Sequence, residues 1–266
     1  MRAQPLRGKT ALITGAAKRL GRAIAIALAE EGANIVVHYR GSREEAQALC
    51  GELRARGVEA WPVKADLGQS EECDGLIART LETAGALDVL VNSASIFLPG
   101  TLKEMRLEDL ARHMQVNAWV PLALSREFAR RVGKGKIVNL LDTRISGYDW
   151  GHVAYILSKQ ALWTLTRMMA VELAPAITVN AVAPGLILPP PGKDEAYLEA
   201  LAGTVPLKRH GAAKDVAEAV VYLLRSEFVT GQVLYVDGGR HLMEQSDGPH
   251  PDWRPEGALH HWGERG

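Results

Sequence analysis

Tyr155 and Lys159 are the two residues whose types and spacing most directly suggest proton chemistry. They lie four residues apart in a segment with helical periodicity, which places both side chains on one face of a helix. A lysine ammonium near a tyrosine favours the phenolate and lowers the pKa of the hydroxyl from about 10 towards the working range. Such a tyrosine could exchange a proton with a substrate oxygen or nitrogen during hydride transfer. The same spacing also arises by chance in many helices.

A glycine-rich segment at residues 14–21 suggests where a nucleotide would bind. Its sequence is Thr-Gly-Ala-Ala-Lys-Arg-Leu-Gly, and it joins the first apolar run to the first helical stretch. Glycines let the backbone approach a pyrophosphate, and the start of the helix offers unpaired N–H groups at the positive end of its dipole. These glycines could also serve only to form the turn. The candidate cofactor-binding residues here are Gly15, Lys18, Arg19, Leu20 and Gly21.

The second apolar run ends at residues 38–42, where the chain offers a cation instead of a carboxylate. An acidic residue here would hydrogen-bond the ribose 2′-hydroxyl of NAD, but the first one, Glu44, already lies inside the next helical stretch. Arg40 and Ser42 could instead hold a 2′-phosphate, since arginine offers charge and a planar fork of donors. We therefore predict NADPH rather than NADH, with His38 and Tyr39 also in the contact segment. A solvated arginine is the alternative.

Residues after the third and fourth apolar runs complete the candidate nucleotide site. Asp66 and Leu67 could flank the adenine, although Asp66 could equally be a helix N-cap. Asn92, Ser93 and Ala94 are small residues where a dinucleotide must pass closely.

These residues need elements to position them, and the chain alternates two kinds of segment. Short β-branched or apolar runs occupy residues 10–14, 34–39, 60–63, 89–91, 136–141, 178–183 and 233–236. Stretches with helical spacing occupy residues 19–31, 43–56, 71–84, 107–132, 153–173 and 213–224. The alternation predicts one α/β domain over residues 1–240, a doubly wound (Rossmann-type) seven-stranded parallel sheet with helices on both faces. Residues 184–203 suggest a loop with a short helix, and residues 241–266 form a tail of unknown role.

Composition excludes several classes of protein. The 31 Lys+Arg residues balance 31 Asp+Glu residues in a chain of 266, so nothing indicates binding to nucleic acid or to anionic membranes. There is no apolar run of about eighteen residues to span a membrane, and no apolar signal segment follows the first arginines. Cys50 and Cys73 are too few for a disulfide framework and fit no metal-ligand spacing. We expect a cytoplasmic globular protein with free thiols and no metal.

Taken in order, the motifs make the sequence resemble the short-chain dehydrogenase/reductase family over about residues 8–240. The matching motifs are Thr14-Gly15 to Gly21, Asn92-Ser93-Ala94, Asn117, Tyr155 to Lys159, Pro184-Gly185 and Asp237-Gly238-Gly239. The resemblance implies that Tyr155 donates the proton, that Lys159 binds the nicotinamide ribose and tunes Tyr155, and that Asn117 holds a water in a proton relay. It also implies that Pro184 and Gly185 contact the cofactor and that the protein is a homotetramer.

Asp142 departs from the family pattern in a way that bears on the substrate. Most members have a serine thirteen residues before the tyrosine, and its hydroxyl donates to a substrate carbonyl, whereas an ionised aspartate would repel that oxygen. A carboxyl group beside Tyr155 suits a nitrogen heterocycle better, because it can accept from ring N–H groups. It could also donate a proton if burial raises its pKa. A tolerated variant in an ordinary carbonyl reductase is the alternative.

Within the family, these details resemble pteridine reductases, which share this aspartate. The segments at residues 14–21 and 38–42 are similar to their phosphate loop and NADPH-selecting segment, with Arg19 where other members usually have glycine. Ser95, Ile96 and Phe97 resemble the segment whose aromatic ring stacks on the pterin. Phe97 could otherwise be a core or lid residue, and Arg19 a solvated or phosphate-contacting cation. The candidate substrate residues are Arg19, Ser95, Phe97, Asp142, Tyr155 and Leu188.

One segment does not match. A hydroxyl residue that contacts the cofactor near the nicotinamide is common just after Pro184-Gly185, and neither Ile187 nor Leu188 can replace it. This departure leaves the substrate more open than the cofactor.

Three functions remain open from the sequence. The first is NADPH-dependent reduction of a pterin, a dihydropteridine or dihydrofolate, by hydride transfer to a ring C=N with protonation through Asp142 and Tyr155. The second is NADPH-dependent reduction of a 3-oxoacyl thioester or another ketone. The third is a nucleotide-sensing or scaffold protein without catalysis, against which the intact Tyr155–Lys159 pair weighs. Asp142, Phe97 and Arg19 favour the first.

Overall fold

The fold is a parallel sheet between two layers of helices. The computed structural model describes residues 4–190 and 192–243. Its strands are β1 Thr10–Ile13, β2 Asn34–Tyr39, β3 Ala60–Lys64, β4 Val89–Asn92, β5 Gly135–Leu140, β6 Ile177–Pro184 and β7 Val233–Val236. They form one sheet in the order β3-β2-β1-β4-β5-β6-β7, and every neighbouring pair is parallel. The doubly wound, Rossmann-type sheet that the alternation predicts is confirmed.

Helices cover both faces of this sheet. They are α1 Arg19–Glu30, α2 Arg43–Ala55, α3 Ser70–Asp74, α4 Leu76–Ala84, α5 Leu107–Met114, α6 Val120–Val132, α7 Val153–Glu172, α8 Glu195–Ala202, α9 Ala213–Arg225 and α10 Arg240–Met243. One core lies under α1, α2 and α9, where Ile24, Leu53 and Val220 are fully buried. The other lies under α4 and α6, where Ile77 and Phe128 are fully buried.

Consecutive residues of the central strands enter opposite cores. Leu12 of β1 and Leu90 of β4 belong to the core under α4 and α6, whereas Ile13 and Val91 belong to the core under α1 and α9. Because both faces of the sheet are covered, these strands must be apolar at every position. The sheet therefore has a rigid, dry centre, and its polar residues are placed at the strand ends.

The helix expected at residues 107–132 is not regular throughout. A π-helical turn at Gln115–Trp119 separates α5 from α6. Pro121 has no N–H, and the ring of a proline inside a helix clashes with the carbonyl four residues before it, here that of Asn117. The wider turn accommodates this proline, and π-turns inside helices often lie at functional sites.

Other sequence expectations have mixed outcomes. The helical stretch at residues 71–84 is divided at Gly75 into α3 and α4. The short helix expected within residues 184–203 is α8. Cys50 and Cys73 are buried free thiols. The domain boundary at residue 240 stays a prediction, because α10 continues to Met243 and residues 244–266 of the expected tail lie outside the described residues.

Candidate active site

A cleft of about 1910 Å³ lies at the carboxyl ends of the strands. In the sheet, β2 lies on one side of β1 and β4 lies on the other, so the strand order reverses direction at β1. The cleft crosses this point, which is where open α/β sheets bind ligands. Most of the sequence-predicted residues line it; among the exceptions are Asn92 and Asn117.

The glycine-rich segment forms a tight turn that only glycine fits at two positions. Gly15 has a φ of +67°, in the left-handed region. A Cβ on Gly21, in the first turn of α1, would lie 2.4 Å from the carbonyl oxygen of Gly15. The loop and the helix are therefore in direct contact, and the start of α1 opens into the cleft. Lys18 pairs with Glu45 at 2.6 Å on the exposed side.

Arg19 adopts a backbone conformation that favours glycine. Its φ is +54°, and it is one of two non-glycine residues with positive φ in the described part of the chain. Its guanidinium donates to the carbonyl oxygen of Pro189 at 2.6 Å, in the segment that follows β6. A strained non-glycine residue at a cleft is often there for its side chain. Leu188, in the same segment, lines the cleft.

His38 supports the glycine-rich turn from below. Its Nδ1 accepts from the N–H of Gly15 at 3.0 Å, and its Nε2 lies 3.1 Å from the carbonyl oxygen of Ala65, to which it donates. Burial lowers the pKa of the ring from 6.5 to about 4, which keeps it neutral and suited to this double role. Both ring nitrogens are thus hydrogen-bonded within the protein, and the cofactor contact of His38 stays a prediction.

The rest of the 38–42 segment lies at the rim of the cleft. Tyr39 is buried, Ser42 is half-buried and Arg40 is exposed. After β3, Asp66 accepts from the N–H of Gly68 at 2.9 Å and so forms a turn. Because α3 begins at Ser70, the interpretation of Asp66 as an N-cap is wrong.

The segment after β4 is fixed to β1 through a threonine hydroxyl. The N–H groups of Ser93 and Ala94 both donate to Oγ1 of Thr14, at 2.9 and 3.0 Å. Asn92 is buried instead, and its amide donates to Oδ1 of Asn139 at 2.8 Å. Its side chain therefore stabilises the sheet rather than lining the cleft. Leu67, which follows Asp66, is buried and does line it.

Tyr155 and Lys159 lie on one face of α7, as their spacing predicts, but they interact with different groups. The Tyr155 hydroxyl donates to Oδ2 of Asp142 at 3.0 Å. The Lys159 ammonium donates to the carbonyl oxygen of Leu140 at 2.8 Å and lies 5.7 Å from the centre of the Tyr155 ring. Asp142 is in place to hold the hydroxyl before any ligand binds.

The expected lowering of the Tyr155 pKa is wrong for this arrangement. Burial and the adjacent Asp142 carboxylate raise the pKa of Tyr155 well above its usual value. Lys159 does not reverse this, since burial lowers the pKa of its own ammonium to about 8. Tyr155 is therefore a neutral hydroxyl, the protonated form that a proton donor needs.

Asp142 is ionised, so the interpretation of this residue as a second proton donor is also wrong. Burial alone would raise the pKa of the carboxyl, but the charge and hydrogen bonds of Arg144 outweigh burial and lower the pKa to about 2. The Arg144 guanidinium forms a two-pronged pair, from Nε to Oδ1 and from Nη2 to Oδ2, both at 3.0 Å. Sequence reasoning missed Arg144, although an arginine two residues after an N-capping aspartate was a usable signal.

Asn117 holds the segment before Phe97 in place. Its Nδ2 donates to the carbonyl oxygen of Ile96 and to Oγ of Ser158, each at 3.0 Å. Its Oδ1 accepts from the N–H of Ile96 at 2.9 Å and from Oγ of Ser95 at 3.0 Å. The side chain is thereby committed to protein partners, and the role of Asn117 in a water relay stays a prediction.

Phe97 lies beside the catalytic candidates, and one of its faces is covered. The ring of His152 stacks on it with centroids 3.9 Å apart, and Tyr155 meets it edge to face at 4.7 Å. The Arg144 guanidinium is 5.6 Å from its centroid. His152 was also missed by sequence reasoning, because it approaches Phe97 through a backbone bridge between Gly100 and His152, which are far apart in sequence.

The residues after β6 approach the glycine pair that follows β7. A Cβ on Gly185 would lie 2.5 Å from Cβ of Asp237, so glycine is required at this position. Asp237 accepts from the Thr143 hydroxyl and from the N–H groups of Gly239 and His241. These bonds connect the turn after Asp142 to the last described helix.

The family is shown by the match of its sequence model. A family model described as Enoyl-(Acyl carrier protein) reductase matches residues 15–241, most of the chain. The chain belongs to the short-chain dehydrogenase/reductase family. The resemblance given by its motifs is thus confirmed, and the chain is an oxidoreductase of that family.

Relatives of this short-chain reductase have different substrates in their names. The 3-oxoacyl-[acyl-carrier-protein] reductase FabG of Staphylococcus aureus (strain Mu50) is 34% identical over 242 residues, covering 88% of this chain and 98% of the relative. The FolM alternative dihydrofolate reductase 1 of Brucella suis, solved with NADP, has a TM-score of 0.86 at 31% identity, covering 94% and 100%. The Brucella canis protein of the same name, also with NADP, has a TM-score of 0.84 at 32% identity, covering 93% and 98%.

The site of this short-chain reductase fits a dinucleotide. The turn at Gly15 and Gly21 leaves room for a pyrophosphate at the start of α1, and Arg40 offers charge at the end of β2. Among residues 4–190 and 192–243, no group of three His, Cys, Asp or Glu side chains could hold a metal ion. No helix in that part of the chain is long and apolar enough to cross a membrane.

Proposed function

We propose that this short-chain reductase uses NADPH to reduce a ring C=N of a pterin, such as a dihydropteridine or a dihydrofolate. The observation that carries the proposal is the Asp142 carboxylate, hydrogen-bonded to Tyr155 at 3.0 Å where a ketone reductase has a serine hydroxyl. An anion at this point repels a carbonyl oxygen and attracts ring N–H groups. The two Brucella neighbours named alternative dihydrofolate reductases support this choice.

The cofactor is NADPH, for which Arg40 and Ser42 supply the contacts to a 2′-phosphate. The backbone from Gly15 to Gly21 receives the pyrophosphate, with Lys18, Arg19 and Leu20 at its edge. Asp66 and Leu67 flank the adenine, and Ser93, Ala94, Pro184 and Gly185 line the path to the nicotinamide. Both Brucella structures contain NADP, which supports a phosphorylated dinucleotide as the cofactor.

The reaction adds one hydride and one proton across the C=N bond. The chemistry that NADPH supplies when bound is a hydride for the ring carbon, which leaves NADP⁺. Tyr155 gives its hydroxyl proton to the ring nitrogen, so that C=N becomes CH–NH, and a solvent proton restores the hydroxyl. The Lys159 ammonium, 5.7 Å from the Tyr155 ring, stabilises the phenolate that forms during transfer.

Asp142 exchanges its partner when substrate binds. Its Oδ2 accepts from Tyr155, and this bond must open when the hydroxyl turns towards the substrate nitrogen. The acceptor position that it leaves is then available to a ring N–H. The pterin binds beside the Phe97 ring, with Ser95, Arg19 and Leu188 around it.

The second candidate is NADPH-dependent reduction of a 3-oxoacyl thioester or another ketone. It is favoured by the identity of 34% with a 3-oxoacyl-[acyl-carrier-protein] reductase over nearly the whole of that relative. Against it, Asp142 lacks the hydroxyl donor that a ketone oxygen needs. A nucleotide-sensing protein without catalysis would bind NADPH and reduce neither substrate.

The homotetramer implied by family resemblance stays a prediction, and exposed apolar residues on α7 such as Met168 and Val171 are compatible with it.

The decisive measurement is NADPH oxidation with dihydrobiopterin, dihydrofolate and acetoacetyl-CoA, for the wild type and for Asp142→Ser. We expect the wild type to reduce a pterin, and Asp142→Ser to lose at least about tenfold in kcat/KM with it. The same variant should keep or gain activity with acetoacetyl-CoA, because it restores a hydroxyl donor. Turnover of acetoacetyl-CoA but of neither pterin by the wild type would sink the first proposal and support the second.

A further inference from the structure

Arg144 is a charged residue of the cleft with several hydrogen bonds, and it lies outside the sequence motifs that identify the family. Its backbone N–H and its Nε both donate to Oδ1 of Asp142, at 2.9 and 3.0 Å, and its Nη2 donates to Oδ2 at 3.0 Å. Its Nη1 donates to Asp149. The side chains are largely buried, with 22% of Arg144 and 14% of Asp142 exposed.

These bonds fill the acceptor positions of the Asp142 carboxylate. Oδ1 receives two N–H groups of Arg144, and Oδ2 receives Nη2 of Arg144 and the Tyr155 hydroxyl. A carboxylate has about four such positions. Because N–H groups of Arg144 donate to both oxygens and carry a positive charge, the arrangement favours the anion over the protonated carboxyl.

Arg144 is held in turn from its other side. Asp149 accepts from Arg144, from the N–H of Gly151 at 3.0 Å and from Nδ1 of His152, which lies 3.2 Å from Oδ1. Only 8% of the Asp149 side chain is exposed. The guanidinium is thus fixed between two carboxylates and cannot leave Asp142 without also leaving Asp149.

We propose that Arg144 is a positioning residue that keeps Asp142 in its anionic form, so that Asp142 holds the Tyr155 hydroxyl in its protonated form until that hydroxyl turns towards the substrate. The identity of the substrate in this inference rests on the proposed function. The charge of Asp142 does not depend on it. The chemical consequence is a site that delivers its proton from tyrosine alone, with the carboxylate as a permanent acceptor.

The charged and titratable groups around Asp142 come from three parts of the fold. Arg144, Asp149 and His152 belong to the loop after β5 and the turn before α7, and Tyr155 and Lys159 belong to α7. Behind Thr143, Asp237 and His241 follow β7 and pair with each other at 2.8 Å. Of these cations, Arg144 is the one that donates hydrogen bonds to both Asp142 oxygens, so its removal leaves the carboxylate with the Lys159 ammonium nearby but with no cation hydrogen-bonded to it.

The first test is the pH dependence of kcat/KM for dihydrobiopterin between about pH 5 and about pH 9. In Arg144→Gln the buried carboxyl should titrate within this range, where buried carboxyl groups without a cation can reach a pKa of about 8. Its activity should fall at least about tenfold between pH 8 and pH 5 relative to the wild type and recover at higher pH. Arg144→Lys should regain part of the activity at low pH. A constant loss at every pH would mean a merely structural role and overturn the proposal.

The second test needs no substrate. As the pH rises from about 5 to about 8, the difference in Tm between wild type and Arg144→Gln should widen. In the variant the buried carboxyl must lose its proton without a hydrogen-bonded cation, which destabilises the folded state, whereas in the wild type Arg144 stabilises the carboxylate at every pH in this range. On an Asp142→Asn background the difference should be constant with pH. Arg56→Gln, which removes exposed ion pairs with Glu30 and Glu52, is the matched control and should also give a constant difference.

The two tests separate the two proposals. If no pterin is reduced but the Tm difference widens and depends on Asp142, the proposed substrate fails and the role of Arg144 stands. If a pterin is reduced but the Tm difference stays constant with pH, the role of Arg144 is wrong.

Discussion

Arg40 is an exposed cation at the end of β2, on the rim of the cleft. A guanidinium here gains from a 2′-phosphate and gains nothing from a ribose hydroxyl in NADH. We expect Arg40→Ala to lower kcat/KM for NADPH by about 10-fold to 100-fold, the effect of losing a hydrogen bond to a charged group. The value for NADH should change little. Arg56→Ala, which changes an exposed arginine just after the end of α2, is the control, and an equal loss with both cofactors would contradict the assignment.

Among the individual residues of the site, the identities of the reactive ones could be predicted from the sequence, but their protonation states could not. Tyr155 and Lys159 follow from helical spacing, and Asp142 from its distance to Tyr155. The state of each depends on burial and on Arg144, which is close because a 3-10 turn at Thr143–Ser146 folds it back onto Asp142. A pKa depends on such three-dimensional neighbours, and a pairwise spacing rule does not include them.

The contact between the glycine-rich turn and α1 is the element-scale feature that shapes the cofactor site. A Cβ added to Gly21 would lie 2.4 Å from the carbonyl oxygen of Gly15 and 2.9 Å from Cα of Ala16, so turn and helix must separate. We expect Gly21→Ala to lower the free energy of unfolding by about 1–3 kcal/mol and NADPH affinity at least about tenfold.

Gly51→Ala is the matched control for this change, because Gly51 lies inside α2 with nothing within 4 Å of the added Cβ. It should raise the free energy of unfolding by about 0.5–1 kcal/mol through the helix propensity of alanine. Chemical denaturation and NADPH fluorescence titration measure both quantities. Unchanged NADPH affinity in Gly21→Ala would show that the close contact does not shape the site.

Elements were predictable where hydrophobic pattern alone determines them. The central strands β1 and β4 are apolar because the two cores bury them on both faces, so the sequence marks them clearly, and the half-buried edge strand β7 is also a short apolar run. The interruption at Gln115–Trp119 was not predicted, since apolar periodicity persists through a π-turn and only Pro121 indicated the change. That interruption matters because Asn117 lies in it and fixes the segment that carries Phe97.

In the whole molecule, the carboxyl ends of strands that are far apart in sequence lie next to one another along one edge of the sheet. His38 links three of these segments. It lies in β2, accepts a hydrogen bond from the N–H of Gly15 in the turn after β1, and donates one to the carbonyl oxygen of Ala65 after β3. The neutral form of this ring is therefore part of the global stability of the fold, and the stability of the whole chain should depend on pH through it.

The pKa of His38 is lowered from 6.5 to about 4 in the folded protein, so the unfolded chain binds this proton more tightly. The stability that this difference provides is complete above about pH 6.5 and is lost as the pH falls towards 4, by about 3 kcal/mol in total. His38→Asn keeps an acceptor for Gly15 but cannot titrate. Urea unfolding at several pH values should show wild type more stable near pH 7 and the difference shrinking by about that amount near pH 4. Parallel curves would mean that His38 is not buried as a neutral ring.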